Sequence, residues 1–156
     1  MDLFFISAAA IILSIVVLSA YTVLTQVQSA SATTMTSNAS INAMNKGVAA
    51  IETFNYGFVV IISFMGLAGI IYAYLVPTHP ILTIISVLVL LISTVYNAII
   101  SNAYETAAAS SQLSAAAGEF NLITQFMNNL PLIMTVFGAL IIIAMFTRSD
   151  TGGGTA

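Results

Sequence analysis

The chain has 156 residues, 60% hydrophobic and 4% charged, with no cysteine, no tryptophan and a formal net charge of −3; its mean hydropathy is +1.08. A soluble domain carries roughly 25% charged residues, so an ordinary dispersed globule is disfavoured, and Lys46 and Arg148, the only strong bases, are too few for direct nucleic-acid binding. The absence of cysteine excludes a disulfide framework, a thiolate zinc cluster and a thiol nucleophile.

The first apolar run, LFFISAAAIILSIVVLSA (residues 3–20), lacks a basic leader and is expected to be a retained helix, not a signal peptide. A polar tip at about 28–40, rich in Ser, Thr and Asn, follows it. From there Ile41, Met44, Val48, Ile51 and Phe54 recur at helical spacing and lead into FVVIISFMGLAGIIYAYLV (58–76). VPTHP, with Pro77 and Pro80, predicts a tight turn at 77–80 that sets its flanking helices antiparallel. The third run, ILTIISVLVLLISTVYNAII (81–100), passes into a second polar tip at about 101–112. Leu113, Ala116, Phe120, Ile123 and Phe126 then lead into LPLIMTVFGALIIIAMF (130–146). Each apolar run is near the ~20 residues that cross a bilayer as a helix. Residues 148–156, with three consecutive glycines, are expected to form a flexible tail; no helix follows to make the glycines a phosphate cradle.

A shift of 72 residues aligns Ser14, Val17 and Leu18 with Ser86, Val89 and Leu90, and Gly66, Ile70 and Ile71 with Gly138, Ile142 and Ile143. The same shift superposes the order of apolar run, polar tip and apolar run, the mark of an internal repeat. The expected fold is all-α: two tandem antiparallel helical hairpins, residues 1–76 and 81–147, forming an elongated four-helix unit with very apolar helices, one domain made by duplication. Tyr56-Gly57 and the stretch Asn128-Asn129-Leu130-Pro131 are expected to kink the two return helices at equivalent levels.

Small residues Gly66, Gly69 and Ala73, opposite Gly138 and Ala139, are candidates for close helix packing, within the unit or between copies. Glu105 and Glu119 flank the second tip and suggest a carboxylate pair, although solvated charge explains them more simply. Lys46 is a candidate to pair with Glu105 or Glu119 across the two hairpins. His79, the only histidine, stands between prolines with no second ligand near it in sequence, which argues against a metal site. Asn38-Ala39-Ser40 is a glycosylation sequon on a tip. With no serine elbow, phosphate loop or HExxH motif, no enzyme, catalytic residue, cofactor or metal is expected.

Three functions compete for a doubled, oily hairpin. It looks like the rotor-ring proteolipid of rotary ATPases, but that function needs an ionisable group within a span, and all four runs lack one. A four-span host membrane protein, holin-like for example, is the alternative; its topological signal from basic residues is nearly empty. The pattern of two oily helices joined by TQVQSASATTMTSNAS resembles the hydrophobic major capsid proteins of archaeal spindle-shaped viruses, over about residues 3–147. That resemblance implies a viral structural subunit located in the virion, assembled with many copies of itself through apolar contacts, with or without lipid.

Overall fold

In the computed structural model, which describes residues 2–31, 38–75 and 80–149, those residues form six helices: α1 (Asp2–Ser31), α2 (Asn38–Leu75), α3 (Pro80–Ala108), α4 (Ser114–Glu119), α5 (Asn121–Asn128) and α6 (Leu130–Ser149). Along their apolar runs the four long helices carry apolar residues on nearly every side, so burial on one face does not explain them. Their hydroxyls are satisfied locally: Ser14 donates to the Ala10 carbonyl at 2.6 Å, Thr22 to Leu18 at 2.8 Å and Thr94 to Leu90 at 3.0 Å. Back-bonding of this kind lets a polar residue sit in an apolar helix without an outside partner. Short α5 is different, being strongly amphipathic, with Ile123, Phe126 and Met127 buried.

The helices close into one bundle in which α6 packs on α3 and α2, and α1 packs on α2 and α3. The core lies mainly where α5 enters between α2 and α3. There Phe58, Tyr104, Phe120, Ile123 and Met127 are fully enclosed. Edge-to-face ring pairs brace this region, Tyr21 on Phe120 at 5.1 Å and Phe58 on Phe126 at 5.5 Å.

This architecture corrects the expected pair of simple hairpins. The return limb of the second hairpin is three helices, and together with α1, α2 and α3 it makes a compact six-helix bundle. The physical reason lies at the two breaks. Phe120 leaves helical geometry, with φ −93° and ψ 54°, and Asn129 separates α5 from α6 just ahead of Pro131. The second break falls where the sequence placed a kink. At Tyr56-Gly57 the helix is not interrupted, and α2 runs unbroken for 38 residues. Nor are α2 and α3 neighbours, despite the short connection between them; each packs mainly on α1 and α6. The turn residues 76–79 with His79, the tip residues 32–37 and the tail from 150 onward lie outside the described residues.

Candidate functional site

On α1 and α3 a row of small polar residues points inward while many large apolar residues point outward. On α1, Ser7 and Ser14 are buried while Phe5, Ile12 and Val16 are exposed. On α3, Ser93, Asn97 and Ser101 are buried while Ile84, Leu88, Leu91, Val95 and Ile99 are exposed. A water-facing helix shows the opposite arrangement. The exposed apolar surface continues on α2 from Tyr56 to Leu75 and on α6 from Leu132 to Phe146. Twenty helical residues rise about 30 Å, the thickness of a hydrocarbon core. All four long helices are long and apolar enough to cross a membrane, and only 22–33% of the most apolar window of each is buried inside the bundle.

Charge brackets this belt. Lys46 and Glu52 stand in the first half of α2, Glu105 near the end of α3 and Glu119 at the end of α4, all exposed, while Asp2 opens α1 and Arg148 falls in the last turn of α6, at the other end of the bundle. Lys46, Glu105 and Glu119 thus share the head of the bundle from three different helices. Asn38 opens α2 at the same end and is exposed.

The head is held by side chains that serve helix ends. Asn55 on α2 accepts the Ile123 backbone N–H at 3.1 Å, so a residue of another helix caps the start of α5, where Phe120 provides no cap. Tyr104 meets Thr124 at 3.0 Å, and Thr124 donates to the Ala117 carbonyl at 2.9 Å. Ser101 on α3 donates to the Met127 carbonyl at 2.9 Å. That carbonyl lies four residues before Pro131, which has no N–H to offer it.

At the other end, the small residues meet bulky partners. A Cβ on Gly66 would stand 2.7 Å from the Phe137 ring, and one on Gly69 would be 3.5 Å from Ile141. These contacts join α2 to α6 at separations of 71 (137 − 66) and 72 (141 − 69) residues, close to the repeat shift. Gly138 and Ala73 are buried and Ala139 is half-buried. Beside them is a cavity of about 670 Å³ between α2, α3, α6 and the first turns of α1, lined among others by Phe5, Gly69, Tyr72, Ser86 and Met145. The buried row Ser7, Ser14, Ser93, Asn97, Ser101 was missed from sequence; its signal was the seven-residue and four-residue spacing of polar side chains within apolar runs.

No family model, curated protein or solved structure matches this chain. The fold and surface therefore define the class on their own: a hydrophobic all-α bundle held by apolar helix–helix contacts, whose architecture fits a membrane better than a free virion particle. The resemblance to archaeal viral capsid proteins does not hold. Its two plain hairpins are replaced by a six-helix bundle with its own core, and the apolar surface left outside is a belt of bilayer thickness.

Proposed function

We propose that the protein is a four-span integral membrane protein that works by packing against lipid and apolar helices and not by catalysis. One observation carries this: α3 buries Ser93, Asn97 and Ser101 while it exposes Ile84, Leu88, Leu91, Val95 and Ile99. Hydrocarbon is the solvent that rewards this inversion. The head, made by α4, α5 and the polar halves of α1 and α2, then stands at one membrane surface, where the Asn38 sequon and a pairing of Lys46 with Glu105 or Glu119 would face water. Alkaline carbonate extraction of membranes from expressing cells tests the placement. The chain is expected in the pellet and released only by detergent; release by carbonate alone would overturn it.

A holin-like action is a second reading, favoured by the same buried polar row, since copies that associate and open could turn Ser7, Ser14, Ser93 and Asn97 towards a water-filled path. Induced expression in cells loaded with a small dye tests it. Leakage is expected on this reading, and intact cells carrying abundant membrane-inserted protein would exclude it.

A further inference from the structure

We propose that the cavity at the first turns of α1 is a binding site for one acyl chain of a membrane lipid, an inference that rests on the bilayer placement above. Its volume of about 670 Å³ lies within the range of small-molecule sites, and its wall selects against polar ligands. Ser86 has already donated its hydroxyl to the Leu82 carbonyl at 2.8 Å, and the rest of the wall is almost wholly aliphatic, aromatic or thioether. Cavities of this character stay dry, and an empty one leaves its lining without contact partners. The occupant must be apolar.

Position identifies the source. The rim residues Phe5 and Tyr72 are 69% and 63% exposed and belong to the same belt that faces lipid, so the cavity is continuous with that surface. Helices α2 and α3 lie diagonally across the bundle, each packed on α1 and α6, so the way in from lipid is at the rim where Phe5 of α1 and Tyr72 of α2 stand exposed. The lining on α2, from Met65 to Ala73, lies within the last eleven residues of that helix, which is the depth of the leaflet on the side of the α2–α3 turn.

Gly69 gives an independent sign. At Gly66 the Phe137 ring demands glycine, but a Cβ at Gly69 would make only an ordinary 3.5 Å contact with Ile141. Helix packing therefore does not require glycine at 69. A bare backbone there keeps the cavity open.

The chain has no tryptophan, so single reporters can be introduced. Phe137→Trp places one in the cavity wall, and Phe64→Trp places one on the belt, where Phe64 is 66% exposed. Both variants are reconstituted in phosphatidylcholine vesicles with brominated acyl chains, then extracted into a maltoside detergent without bromine. In vesicles both are expected to lose fluorescence. After extraction Phe64→Trp is expected to recover while Phe137→Trp stays quenched, and adding Gly69→Leu to Phe137→Trp is expected to abolish the retained quenching. Met145→Trp is a second cavity reporter should Phe137→Trp fail to fold. Recovery of the cavity reporters in parallel with Phe64→Trp would overturn the acyl-chain site and leave the bilayer placement standing. Absence of quenching at Phe64→Trp in vesicles would overturn the placement itself.

Discussion

Pro131 removes one backbone donor, and the carbonyl it abandons, that of Met127, is recovered by the Ser101 hydroxyl at 2.9 Å. In an apolar surrounding an abandoned carbonyl has no water to turn to. Ser101→Ala is therefore expected to cost about 1–3 kcal/mol, the penalty of an unsatisfied buried group, read as a lowered unfolding midpoint in detergent. Asn97 presents the opposite case. Its Nδ2 reaches Ser93 Oγ at 3.3 Å, but its buried Oδ1 has no partner. Replacing both partners of such a pair by apolar groups is nearly neutral or stabilising, so the double variant Ser93→Ala/Asn97→Leu is expected to hold or raise the same midpoint. The proline was legible as a break in the sequence. Its partner was not, because Ser101 lies 26 residues before Met127 and no local rule connects them.

Helices α4 and α5 show why the second limb was expected to bend only at Asn128–Pro131. Apolar residues at Leu113, Ala116, Phe120, Ile123 and Phe126 keep helical spacing straight through the turn at Phe120, so periodicity alone cannot see it. What fixes the break is tertiary: Asn55 of α2 caps the start of α5, and Tyr21 and Phe58 take the rings of Phe120 and Phe126. Asn55→Ala is expected to cost about 0.5–2 kcal/mol, as for other lost caps, and to increase amide exchange in α5 before α6. The four long helices were legible because apolar runs of bilayer length have few other uses. Within α2, Gly57 and Gly66 differ in kind. A Cβ at Gly57 would meet nothing within 4 Å, whereas one at Gly66 would be pressed by Phe137. Gly57→Ala is expected to stabilise by about 0.5–1 kcal/mol through helix propensity, and Gly66→Ala to destabilise by about 1–3 kcal/mol through overpacking, in paired thermal melts.

At the scale of the whole molecule the question is which solvent the belt faces, because the same exposed side chains would be a liability in water. The bundle has a core, but that core is concentrated towards the head, around Phe58, Tyr104, Phe120 and Ile123. Beyond it the helices turn Phe64, Leu88, Leu91 and Leu140 outward with no protein over them. Burial in lipid and burial by partners differ in what a single charge does. Leu91, 62% exposed, lies near the middle of the belt on α3, where a lysine costs about 2.5–3.5 kcal/mol on the insertion scale. Ala49 is also exposed, on the head half of α2. Leu91→Lys is expected to reduce the carbonate-resistant fraction sharply and Ala49→Lys to leave it unchanged, both measured by quantitative blotting of membrane pellets. Were the belt in contact with water, Leu91→Lys would raise the yield of dispersed protein, since a charge on a wet apolar surface improves solubility; the sign of that one change separates the two solvents.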